Sequence, residues 1–234
     1  MKKIGLYTAI AISMAVTMSA NAALIDRGNG MIYDSDQNLT WLQDANYAKT
    51  SGYDANGRMD WDAAITWASN LVFGGYDDWR LPGVIDTGAS GCNWAYSGTD
   101  CGYNVDTASS EMAYMYHVNL GIKSYYNEEG SLDPTGGIFG NGTYGGQGNV
   151  GLINNLQSGF YWSGTEYMPS GERAWYFSTG YGYQEIGGKT NSLYAWAVRD
   201  GDVVTVPAPG VLVLMALGLV GMSAARRRCR VNVK

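Results

Sequence analysis

Short apolar runs, Met31-Ile32-Tyr33 and Leu39-Thr40-Trp41-Leu42, flank the polar stretch Asp34 to Asn38, which predicts a hairpin. Further on the period lengthens. Trp61, Ala64, Ile65, Ala68 and Leu71 follow i, i+3, i+4, i+7 and predict a helix from Asp60 to Leu71, with Asp60 as N-cap and Gly74-Gly75 beyond its end. A second helix is predicted from Ser110 to Leu120, capped by Ser109 or Ser110 and stopped by Gly121. The last third holds aromatic-rich strand patterns at Phe160–Ser163, Ala174–Ser178 and Leu193–Arg199. Hairpin, helices, then antiparallel strands make an α+β class.

The two ends read differently. Met1-Lys2-Lys3, an apolar run from Ile4 to Met18 and Ala20-Asn21-Ala22 predict a secretory signal peptide over 1–22, cleaved between Ala22 and Ala23. At the other end, Pro207-Ala208-Pro209 precedes the apolar run Val211–Ala225 and then Arg226-Arg227-Arg228. That run is short for a spanning helix, and the Arg cluster keeps its own side cytoplasmic. Residues 206–234 resemble a PEP-CTERM sorting signal, with Ala208 where the usual motif has Glu. The resemblance implies an exosortase-type sorting enzyme as partner. It also implies membrane contact through the helix before processing, then delivery to the cell surface or matrix of a Gram-negative-type bacterium.

Charge sharpens the division. The chain is −6 overall, but 23–205 holds eight Lys and Arg against all 21 Asp and Glu, a formal −13. Such a domain excludes nucleic acid as a partner. In an oxidising compartment Cys92 and Cys101 can pair across their short loop. The lone His117 reads as a surface or dipole-satisfying residue rather than a catalyst. The acids of 34–38 resemble the start of a calcium loop, but Leu39 stands where Gly is needed and Ala45 where a bidentate Glu is needed. No cofactor or metal is called for; calcium has no support beyond that turn. Nine glycines between Gly130 and Gly151 form no phosphate-binding pattern and predict a long surface loop.

Thr40-Trp41-Leu42-Gln43-Asp44-Ala45, the string Gly74–Pro82 (GGYDDWRLP), Ser110-Glu111-Met112, Tyr161–Glu166 (YWSGTE), Ala174-Trp175 and Ala197-Val198-Arg199 recur in a familiar order. Together they resemble the Lcl C-terminal domain family. The resemblance implies a C-type-lectin-like domain related to formylglycine-generating enzymes, with two helices, a twisted antiparallel sheet and long irregular loops. Some members of that family are implicated in adhesion and in binding sulfated glycans.

Within these motifs, Asp77, Asp78, Trp79 and Arg80 read as structural, with Trp79 and Leu81 in the core and Arg80 pairing an acid across two elements. Trp162, Trp175 and Trp196 admit two readings, core or sugar platform. With Tyr176 and Glu166 they are the candidate ligand-binding residues. Three functions follow. The first is non-catalytic recognition of an extracellular polysaccharide, neutral or cation-bridged because −13 repels sulfated chains. The second is a self-associating matrix component. The third is an oxidase, disfavoured because no activated nucleophile with a base is evident.

Overall fold

A computed structural model describes residues 24–86 and 95–203. The signal cleavage at Ala22/Ala23, Cys92, and the tail with Pro207, Pro209 and Arg226 to Arg228 lie outside the described residues. Among the described residues, no helix is long and apolar enough to cross a membrane.

In chain order the first elements are β1 (Leu24–Gly28), β2 (Met31–Asp34), β3 (Leu39–Leu42), the single turn α1 (Tyr47–Thr50), β4 (Arg58–Met59) and α2 (Trp61–Ser69). Then come β5 (Gly102–Tyr103), α3 (Glu111–Tyr114), a π-helical turn (Met115–Asn119), β6 (Gln147–Val150) and β7 (Ile153–Gln157). The chain continues through β8 (Phe160–Glu166), β9 (Arg173–Ser178), β10 (Tyr183–Gly188), β11 (Leu193–Tyr194) and β12 (Val198–Asp200). They form a four-stranded sheet, β1-β2-β3-β12, a six-stranded sheet, β4-β11-β8-β9-β10-β5, and the hairpin β6-β7. All pairings are antiparallel except β8 with β11. The class is α+β.

The β2–β3 hairpin forms as the pattern predicts, in the register Asp34↔Leu39. Asp34 is fully buried: one carboxylate oxygen accepts from the Asp36 and Gln37 amides, the other from the Asn119 side chain. The lead acid of the calcium-like stretch is thus the anchor of a turn. Asp60 caps α2, accepting from the Ala63 amide at 2.8 Å. The helix stops at Ser69, and its buried residues are Ala64, Trp67 and Ala68. The expected face is corrected by Trp61, which stays half-buried because its indole N–H reaches the Ser163 carbonyl and Lys189 covers its ring at 4.2 Å. Ser110 caps the second helix, which widens into the π turn after Tyr114.

Leu193–Arg199 is not one strand. Leu193-Tyr194 joins the six-stranded sheet, Val198–Asp200 joins the four-stranded one, and Ala195-Trp196-Ala197 cross between them fully buried. Trp196 packs on Trp41 with ring centroids 4.7 Å apart and donates its indole N–H to the Leu42 carbonyl at 2.7 Å. One run therefore joins the core of both sheets.

The GGYDDWRLP string is structural in the way its composition suggests. Trp79 and Leu81 are each 2% exposed. The Arg80 guanidinium donates to both Glu111 oxygens, at 2.7 and 2.8 Å, and to Asp200, tying α3 to β12. Asp78 takes a matching two-bond contact from Arg199 at 2.7 and 2.9 Å, while Asp77 is exposed. A Lys cannot reproduce Arg80's fork. Arg80→Lys is expected to cost about 1–2 kcal/mol in urea unfolding, discounted for the guanidinium's partial exposure. An unchanged midpoint would remove Arg80 as the tie.

Candidate functional site

Strand alternation sorts the six-stranded sheet into two unlike faces. Tyr161, Phe177 and Gln184 are paired across β8, β9 and β10 and point into the core. The opposite face carries Phe160, Tyr176, Tyr183 and Tyr103, aligned by the pairs Tyr183↔Tyr103, Tyr183↔Ser178, Phe160↔Ser178 and Glu185↔Tyr176. These rings touch in sequence. From Tyr144 to Phe160, Tyr176, Tyr183, Tyr103 and Tyr96, successive centroids lie 5.1, 5.2, 6.4, 5.4 and 6.1 Å apart. Loop tyrosines close a ring beside them: Tyr103–Tyr126, Tyr126–Tyr125, Tyr125–Tyr181 and Tyr181–Tyr183 are 5.0 to 6.0 Å apart. Tyr96 and Tyr144 are 42% and 47% exposed, and the rings between them half-buried. The result is an aromatic ribbon with exposed ends and half-buried rings between them.

The glycine-rich segment builds one side of it. Far from looping free, it folds back on two turns: Ile138 N–H donates to the Thr179 carbonyl at 3.3 Å between β9 and β10, and Gly145 N–H to the Ser158 carbonyl at 2.8 Å between β7 and β8. Gly137 has φ +88°, and a Cβ there would sit 2.1 Å from the Gly180 carbonyl. Gly182, at φ +74°, lets the chain turn between Tyr181 and Tyr183.

Three phenols of the ribbon are held neutral. Burial pushes Tyr183 up to about 12 and raises Tyr103 and Tyr176 further. Tyr176 donates its O–H to Glu185 on β10, which adds to the rise. At the Tyr96–Tyr126 end lies a cavity of about 830 Å³ lined by Asn104, Asp106, His117, Lys123, Glu128, Glu129 and Asp133 among others. Asn104 joins the two features, donating to the carbonyls of Tyr96 and Tyr126 at 2.8 and 2.9 Å. His117 is half-buried in the last turn of the π helix: its ring packs edge-on against Tyr116 and Phe177, and burial lowers its pKa.

Of the two readings open for the tryptophans, the structure takes the core one and removes them as ligand-binding candidates. Trp162, Trp175 and Trp196 are at most 1% exposed and have no face left for a ligand. Glu166 is exposed, paired with Lys189 at 2.7 Å, at the far end of β8 from Phe160. Of the candidates, only Tyr176 lies in the ribbon. Cys101 is buried and disulfide-bonded. Among the described residues, no group of three or more His, Cys, Asp or Glu is placed to hold a metal ion. The ribbon's other members escaped the sequence reading because half of them sit in loops; Tyr125-Tyr126 and Tyr181-Gly182-Tyr183 were the available signal.

No family model matches this chain, and no curated protein or solved structure matches it either.

Proposed function

We propose that this is an exported, non-catalytic surface or matrix protein that binds an extracellular polysaccharide along the tyrosine ribbon. The observation that carries the reading is the continuity of that ribbon, since pyranose rings stack on aromatic faces. The Lcl-type resemblance, a C-type-lectin-like fold and the sorting signals at both ends belong to the same proposal, with an exosortase-type enzyme as processing partner. The −13 charge of 23–205 favours a chain without sulfates.

The test is affinity electrophoresis of the purified protein against soluble neutral polysaccharides and heparin. Tyr103→Ala and Tyr183→Ala are each expected to weaken neutral-chain binding by about 2 kcal/mol, roughly 30-fold. Tyr53→Ala, exposed but packed on Trp67 instead, is expected to bind normally. Retention on heparin with no neutral binding would reverse the ligand class.

Self-association is the second reading, favoured by Leu132, Phe139 and Tyr144, all more than 40% exposed in the loops around the ribbon. Sedimentation that shifts with concentration in the absence of glycan supports it.

A further inference from the structure

We propose that Tyr96 is a site of oxidative cross-linking, where a haem oxidant driven by hydrogen peroxide joins two copies of this chain through a dityrosine bond. Polysaccharide binding is not needed for it.

Among the described residues three tyrosines are more than 40% exposed: Tyr53 at 58%, Tyr144 at 47% and Tyr96 at 42%. Exposure alone ranks Tyr96 last. Ring contacts rank it first. Tyr176, Tyr183, Tyr103 and Tyr96 make an unbroken line of phenols, with centroids 6.4, 5.4 and 6.1 Å apart. Tyr181, Tyr125 and Tyr126 give a second route from Tyr183 to Tyr96, in steps of 5.3 to 6.0 Å. Tyr144 meets these phenols across Phe160, which has no O–H to lose, and Tyr53 packs on Trp67 instead.

Rings this close exchange electrons, so a vacancy made on one phenol is refilled from the next. The proton decides where the vacancy settles, because a phenol that loses an electron also gives up its proton. Tyr103, Tyr176 and Tyr183 are half-buried, and burial holds their protons on. Tyr176 donates to Glu185, which takes the proton while the electron is missing and returns it when Tyr183 refills the ring. At the exposed Tyr96 water carries the proton away, so the radical stays there. Radicals on two copies then bond through the ring carbons beside their oxygens. The hydrogens on those carbons move to the oxygens and restore two phenols. In all, two phenols lose two electrons and two protons, and one hydrogen peroxide takes them up as two waters.

The test treats the purified protein with a haem peroxidase and substoichiometric hydrogen peroxide, and reads covalent dimer on a denaturing gel, dityrosine fluorescence and the linked residues by peptide mass spectrometry. A dimer joined Tyr96 to Tyr96 is expected as the main product. Tyr96→Phe is expected to lose most of it, and Tyr53→Phe and Tyr144→Phe to keep it. Tyr103→Phe/Tyr126→Phe keeps the rings but removes the two phenols that touch Tyr96, and is expected to lose most of the dimer as well. Cross-links that follow exposure, Tyr53 first, overturn the inference. So does a Tyr103→Phe/Tyr126→Phe variant that dimerises like the wild type, or dityrosine confined to monomers. Each of these leaves the glycan reading standing, since that is measured with polysaccharide and no peroxide.

Discussion

Raised through pH 10, the protein is expected to unfold in one cooperative step, complete by about pH 12. Tyr116 and Tyr161 are 1% and 0% exposed, and burial pushes both phenols well above their ordinary value of 10.0. Tyr116 donates to the carbonyls of Thr179 and Lys123, contacts a phenolate cannot make. Because the folded value lies above the unfolded one, this stability is fully present below pH 10 and drains away as pH climbs toward the folded value. Each such group removes about 1.4 kcal/mol per pH unit. Two together approach 3 kcal/mol per unit against a total of about 5–15. Tyr103, Tyr176 and Tyr183 act in the same direction, less per group because solvent still reaches them. Phenolate absorbance and far-ultraviolet circular dichroism, followed together, give the answer. Phenols that ionise at their ordinary value while the dichroism stays native would contradict the burial of Tyr116 and Tyr161.

Trp196→Ala is the single substitution expected to cost most, about 4 kcal/mol in equilibrium urea unfolding. It empties the space between Trp41 and Tyr161, whose centroids lie 4.7 and 6.2 Å from the Trp196 ring, and strips the Leu42 carbonyl of its indole donor. The damage falls where the two sheets meet, so neither can absorb it alone. Trp196→Phe keeps much of the volume but loses the hydrogen bond, and about half the cost is expected. It also checks the corrected role of this residue. Polysaccharide affinity should be unchanged in Trp196→Phe, since no sugar reaches a ring 1% exposed; a selective loss of binding with normal stability would return Trp196 to the ligand surface.

Local chemistry was legible along much of the chain. Asp60 and Ser110 announce helix starts because a short acceptor side chain is what an unpaired first-turn amide needs, and that demand is satisfied within three residues. The hairpin at 31–42 was equally plain, since its turn is made by Asp34 bonding its own neighbours. Arg80, two residues after a pair of acids, suggested an ion pair, though not that its partners would be Glu111 and Asp200. Strands β1 and β10 were missed. Each is polar over half its length, and β10 ends in two glycines, so pairing with neighbours rather than composition makes it a strand.

By itself, then, the sequence determined the α+β order of elements, their caps, the aromatic content of the late strands and the acidity of the whole domain. Those are properties of residues and their near neighbours. Only the tertiary structure decided which aromatics are core and which are surface. A buried Trp and an exposed Tyr have the same strand pattern until a partner sheet covers one face. Here the four-stranded sheet and the second helix take Tyr161, Phe177 and Trp196, while Tyr176, Tyr183 and Tyr103 stay half-buried. The ribbon exists because β-pairing brings residues up to 80 positions apart, Tyr103 and Tyr183, to one register.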